Sequence, residues 1–164
     1  MLTADALIAA LGLWPLPREG GYYRETYRSP LRHGADHCAA TAIYYLLTAD
    51  TCSALHRLPT DEVFHFYLGD PVEMLQLDEH GGRLVTLGPD VLGGQVLQTV
   101  VPAGVWQGSM VRAGGAFALL GTTMAPGFEF ADYQAGDRTA LIERYPEFAD
   151  RIRRLTPNPE GATP

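Results

Sequence analysis

A chain of 164 residues, 46% apolar and 19% charged, can bury one core without disulfides or a structural metal, and its 18 glycines and 12 prolines suit a turn-rich β protein rather than a disordered one. A formal charge of -7 repels phosphate backbones, and the one basic run, Arg151-Ile152-Arg153-Arg154, follows an apolar helical pattern and reads as a helix end, so nucleic acid is excluded as the expected partner. No stretch approaches the roughly 20 apolar residues of a membrane span. The start Met1-Leu2-Thr3-Ala4-Asp5 lacks the basic residues and cleavage site of a signal peptide, so the expected location is the cytoplasm, with Cys38 and Cys52 reduced.

In chain order, Thr3 caps a short helix whose Leu7, Ile8 and Leu11 share one face, and Gly12 ends it. From Cys38 the texture changes to short β-rich runs over 39–47, 51–57, 61–68, 71–77, 83–87, 95–101, 105–111 and 115–123. Ala49-Asp50, Gly69-Asp70-Pro71, His80-Gly81-Gly82, Gly93-Gly94 and Ala113-Gly114-Gly115 supply the turns between them. Short strands at this spacing predict an all-β sandwich or barrel. After Pro126-Gly127 the pattern returns to helix, with Leu141, Ile142, Phe148, Ile152 and Leu155 apolar and Pro146 as an interruption. The expected organisation is a single domain over 1–155 and a flexible tail over 156–164.

Two separated clusters stand out: His56, Glu62 and His65 ahead of Gly69, then Pro102-Ala103-Gly104-Val105-Trp106-Gln107. With them go Gly20-Gly21-Tyr22-Tyr23-Arg24-Glu25-Thr26, Ala42-Ile43-Tyr44-Tyr45-Leu46-Leu47, Asp61 to Pro71, and Ala125-Pro126-Gly127-Phe128-Glu129-Phe130. In this order the blocks resemble the cupin superfamily, and from about Leu11 to Pro146 its DUF985 branch, also called cupin type 5. The resemblance implies a jelly-roll (double-stranded β-helix) barrel with short terminal helices that often forms a homodimer, and it implies little about chemistry.

Metal-binding cupins carry two His one residue apart, a Glu, a Gly seven positions after it, and a later His after Pro-x-Gly-x-x. Here Glu62 and Gly69 keep their spacing, but His56 is the single upstream His and Gln107 stands where the last His would be. His56, Glu62 and Gln107 would form a poor divalent site, one imidazole, one carboxylate and one neutral amide. The pleat puts Glu62, Phe64 and Phe66 on one face and Val63, His65 and Tyr67 on the other, so His65 joins Glu62 only through a bulge. The same alternation groups Gln107 with Ser109 and turns Trp106 away. Glu62 needs a partner if buried, with Arg57, Arg24 or His56 as candidates.

Three readings follow. In the first, the barrel binds a sugar, nucleotide-sugar or nucleotide and works by metal-independent acid/base chemistry resembling that of epimerase-like cupins, with His56 as base, Tyr44 or Tyr67 as acid and Glu62 beside them. In the second it is a non-catalytic module that senses or carries a small molecule, with Glu62, His56 and Gln107 as hydrogen-bonding groups; the candidate ligand-binding residues of the barrel are His65, Gln107, Ser109, Phe64, Phe66, Phe128 and the rim residue Glu129. In the third a divalent metal on His56, Glu62 and Gln107 is the cofactor. The first two need no cofactor, and a metal is the less expected occupant.

Overall fold

The computed structural model describes residues 2–157. Its helices are α1 (Ala4–Leu11), α2 (Arg138–Arg144) and α3 (Ala149–Leu155). The strands are β1 (Trp14–Pro15), β2 (Tyr22–Arg28), β3 (Arg32–His33), β4 (His37–Cys38), β5 (Thr41–Thr48), β6 (Cys52–Arg57), β7 (Glu62–Gly69), β8 (Val72–Asp78), β9 (Gly81–Leu87), β10 (Gln98–Val101), β11 (Trp106–Val111), β12 (Phe117–Met124) and β13 (Gln134–Ala135). No described helix is long and apolar enough to cross a membrane.

Two antiparallel sheets face each other, one in the order β1-β2-β5-β12-β7-β10 and the other β13-β6-β11-β8-β9. From β5 to β8 and again from β9 to β13 the chain alternates between the two sheets, so most neighbours in space are distant in sequence, as in a jelly roll; β1-β2 and β8-β9 are sequential pairs, and β3-β4 form a small sheet of their own. Alternation explains the packing. On β7, Glu62, Phe64 and Phe66 are buried while Tyr67 is half exposed, and the inward phenylalanines meet Tyr45, Leu47, Met74, Val101 and Leu120 in the barrel core.

The outer faces are covered where helices lie on them. Under α2 and α3, Leu141, Tyr145, Ile152 and Leu155 pack on Leu55, Leu75, Leu77 and Trp106. Under α1, Leu7 packs with Leu13, Leu46 and Leu119. The α1 boundaries follow the expected chemistry: the Thr3 hydroxyl accepts from the Ala6 N–H, and Gly12 ends the helix at φ 60°. The Arg151–Arg154 run is the end of α3, where Arg153 pairs with Asp150 and Arg151 reaches Glu73.

One sequence expectation needs correction. The charged segment Tyr22–Arg28 is a strand, missed because five of its seven residues are exposed and carry no apolar alternation; it forms by pairing with β5 from Tyr22↔Leu46 to Arg28↔Thr41. Of the segment expected as a tail, Thr156 is nine-tenths buried with its hydroxyl accepting from Arg138 Nε at 2.9 Å. Residues 158–164 lie outside the described residues.

Candidate functional site

Glu62 opens β7 on its inner face, opposite Met124 on β12 and Val101 on β10. Gln107 opens the inner face of β11, opposite His56 on β6 and Gln76 on β8. The two sheets meet here: Gln107 Nε2 donates to Glu62 Oε2 at 2.7 Å, with both side chains buried. The buried Thr122 hydroxyl, inward on β12, lies beside Glu62 and favours its charged form. Neither Arg24 nor Arg57 is the partner of this carboxylate. Arg24 donates to Leu11 O on the outer face, and Arg57 lies over the Trp106 ring.

Burial is the main force on Glu62, lifting its carboxyl from the ordinary 4.5 to about 6, and the charge of Glu19 pushes the same way against His56, Gln107 and Thr122. Glu19 arrives on the turn before β2. Gly20 (φ 96°) allows that turn to lie against β6, since a Cβ there would stand 2.5 Å from Cys52 O. The turn is pinned by Tyr45, whose buried hydroxyl donates to Gly20 O, and by Ser53, which donates to Glu19 Oε1 at 2.7 Å.

His56 is 1% exposed. Its Nδ1 is 2.7 Å from Ala54 O, which can only accept, so Nδ1 carries the proton and Nε2 is the ring's acceptor in the neutral form. Nε2 stands 4.0 Å from Glu19 Oε2, and the ring stacks on Tyr133 at 4.9 Å.

A cavity of about 250 Å³ opens beside Glu62. Leu16, Tyr23, Ile43, Tyr45, Leu58, Met124, Phe128 and Phe130 form its apolar wall, and Glu19, Thr41, Glu62 and Thr122 its polar floor. At the mouth, Arg28 is gripped from three sides: both Glu25 oxygens at 3.0 Å, Glu129 Oε1 at 2.6 Å and Phe128 O at 3.1 Å. This clip ties β2 to the segment after β12. Since the Arg28 side chain is 40% exposed, Arg28→Ala is expected to lower stability by less than about 1 kcal/mol. Amide exchange at 128–130 should quicken several-fold, and hydrogen-exchange mass spectrometry with a denaturant midpoint separates the two effects.

The predicted site residues divide. Glu62 and Phe128 line the cavity and Glu129 sits at its rim. Gln107 lies behind Glu62, and His56 stands behind Glu19 rather than on the wall. Phe64 and Phe66 are barrel core. Ser109 is buried on the inner face of β11, away from the cavity wall, its hydroxyl without a partner among the described residues.

The tyrosines proposed as acids are placed elsewhere. Tyr44 packs on the α1 side of the first sheet, and Tyr67 is 51% exposed on the outer face, lying against Gly121 and edge-on to Tyr44. Strand parity excludes them: each is one residue out of phase with its inward neighbours. His65 is also outside, stacked with Tyr67 and bonded to Thr123 and Gln98, because the β7–β12 register runs unbroken from Glu62 to Phe66 and its irregularity falls at Phe66–Leu68.

Glu19, Thr122, Tyr45 and Arg28 were missed as site residues. Glu19 had one available signal, a carboxylate next to Gly20-Gly21, and nothing local showed that this turn folds over the barrel mouth.

The donor set does not fit a resident divalent ion. The amide of Gln107 is a neutral and poor ligand, and no three His, Cys, Asp or Glu side chains come together at ligand spacing among the described residues.

The pattern described as "Cupin superfamily (DUF985)" matches residues 5–136. The uncharacterized protein YML079W of Saccharomyces cerevisiae is 30% identical over 134 residues, covering 71% of this chain and 67% of that protein. Protein SO0799 from Shewanella oneidensis superposes with a TM-score of 0.89 at 32% identity, covering 96% of this chain and 99% of that one. A hypothetical protein from Leishmania major gives 0.87 at 33% identity, covering 96% and 100%. The likeness to Bacillus subtilis oxalate decarboxylase, 13% identical with a TM-score of 0.55 over 87% of this chain and 37% of that one, is one of fold alone.

Proposed function

The chain belongs to the DUF985 family of the cupin superfamily, and on that premise we propose that its barrel binds a small hydroxylated metabolite of single-sugar size and moves a proton on it through Glu62. The observation that carries this is Glu62 itself: a buried carboxyl on a cavity wall, lifted to about 6 and therefore able to give or take a proton near neutral pH. A carboxyl held this way is costly to the fold, which suits a working group better than a structural one.

The supporting geometry is specific to a small ligand. About 250 Å³ falls below the roughly 300–1,000 Å³ of sites for drug-sized molecules, favouring one sugar ring over a nucleotide-sugar or nucleotide. A phosphate would meet Glu19, Glu25, Glu62 and Glu129, with Arg28 already gripped by two of them. Tyr23, Tyr45 and Phe128 offer flat apolar surface, and Thr41 and Thr122 offer hydroxyl partners.

In this reading Glu62 is the acid/base group, with Glu19 across the cavity floor as its charged neighbour. Gln107 holds one Glu62 oxygen in place while the other is presented to the ligand. His56 acts through Glu19 as a positioning residue rather than as the base, its ring orientation set by Ala54 O and the Tyr133 stack. No step is routed through a metal, because the donors present do not form a site for one.

The test is a thermal-shift screen of neutral sugars followed by product analysis by NMR. A sugar that raises the melting temperature and changes its isomeric composition with wild-type protein supports the reading. A sugar that binds and is recovered unchanged leaves the non-catalytic module. Loss of activity on chelation, restored by one divalent metal, would replace this reading with a metal-dependent one.

A further inference from the structure

The cavity has an imbalance of charge that a neutral sugar leaves uncorrected. Four carboxylates line it, from Glu19, Glu25, Glu62 and Glu129, against one guanidinium, Arg28. Arg28 is at the mouth, neutralised by Glu25 and Glu129. The floor is left with Glu19 and Glu62, which have no Lys or Arg partner among the described residues. Glu62, 7% exposed, is held by the neutral Gln107, with the neutral Thr122 hydroxyl beside it. Glu19, with a side chain 13% exposed, accepts from the Ser53 hydroxyl and has His56 at 4.0 Å.

Buried carboxylates are ordinarily paired with a cation or fully ringed by donors. These two face the same cavity, whose apolar wall includes the rings of Tyr23, Tyr45, Phe128 and Phe130 among aliphatic side chains. Rings and carboxylates around one small cavity are the two surfaces that recognise an organic cation, one by its charge and one by the ring quadrupole. A metal ion would use the carboxylates but not the rings.

We propose that the ligand of this cavity is a small organic ammonium of amino-sugar size, its nitrogen seated between Glu19 and Glu62 and its carbon frame against the aromatic wall. This rests on the reading that the cavity is the protein's binding site and names the class of molecule it takes. Selectivity follows from the same geometry: an anion is repelled by the floor, a neutral analogue leaves both carboxylates uncompensated, and the Arg28 clip closes over a ligand that does not compete for it.

The experiment is isothermal titration calorimetry of the full chain at neutral pH with glucosamine, glucose and glucose 6-phosphate, repeated on Glu62→Gln and Glu19→Gln, each first checked by circular dichroism and thermal melting. Glucosamine is expected to bind at least tenfold tighter than glucose, with no heat from the phosphate. Either variant should cost glucosamine tenfold or more, and a clearly larger factor than it costs glucose. Glucose binding as tightly as glucosamine overturns the cation inference while the binding site stands. If none of the three binds folded wild-type protein, the inference and the reading beneath it both fall. Manganese chloride titrated alone serves as a further arm: stoichiometric binding that Glu62→Gln abolishes would assign the charge to a metal and overturn the ammonium.

Discussion

Glu62→Gln is expected to make the protein more stable above pH 6, and to slow turnover if Glu62 is the proton-moving group. In the folded chain the carboxyl titrates near 6, against about 4.5 in the unfolded one, so between these values the native state holds the proton more tightly and stability falls as pH rises. Above the folded value the full penalty is present, and below about pH 4 it is absent because both states are protonated. The interval corresponds to about 2 kcal/mol. A glutamine keeps the Gln107 contact without the charge, so the variant should gain up to about that amount at pH 8 and nothing at pH 4. Urea denaturation of both proteins at the two pH values reads the difference directly. An equal difference at both would show that the carboxyl is not held out of water as the geometry requires. If Glu62 moves the proton, turnover of an identified substrate should fall by about 10²–10⁴-fold.

Phe64→Ala carries the largest expected loss of stability. The ring is 1% exposed, two residues from Glu62 on the inner face of β7, and opposite Thr122 on β12. Removing it costs the transfer energy of the ring and leaves a void that the closed barrel cannot collapse to fill, about 3–5 kcal/mol together. Phe64→Leu, which keeps most of the volume, should cost much less. Denaturant titrations of the two variants test this, and a small loss for alanine would mean that the barrel repacks around position 64. The functional consequence lies in Glu62, whose raised titration depends on dry surroundings: water admitted beside it should bring its titration back toward 4.5.

The expected strands over 39–47, 51–57, 61–68, 71–77 and 105–111 correspond to β5, β6, β7, β8 and β11 within a residue or two, because each is apolar, alternating and bounded by glycine, proline or aspartate. Where alternation was weak the reading failed. The strand Tyr22–Arg28 shows no apolar period, since it lies toward the edge of its sheet, and its stability comes from pairing with β5. The outward positions of His65 and Tyr67 were legible from parity on β7, yet Tyr67, like Tyr44 on β5, was still carried forward as a candidate acid against that parity.

The site was half legible. Glu62 and Gln107 were found from the resemblance and the pleat, and they do meet, 45 positions apart in the chain, at 2.7 Å. His56 was legible as an inward residue of this region, but not its place within it. Its neighbours on the strand place it inside the barrel, and only the arrival of Glu19 and Tyr133 from distant segments decides that it stands behind the cavity wall.

What the sequence by itself determined is therefore the local part: the β runs, the helix caps, and which residues of a strand share a face. These depend on backbone periods of two and 3.6 residues and on turn chemistry, all of which act over a few neighbours. Tertiary structure alone decided which faces look at each other. The turn carrying Glu19, the Arg28 clip and the aromatic rim come together because the sheets close into a barrel, and the displaced titration of Glu62 is a property of that closure, arising from exclusion of water and the nearness of a second carboxylate that no local pattern encodes.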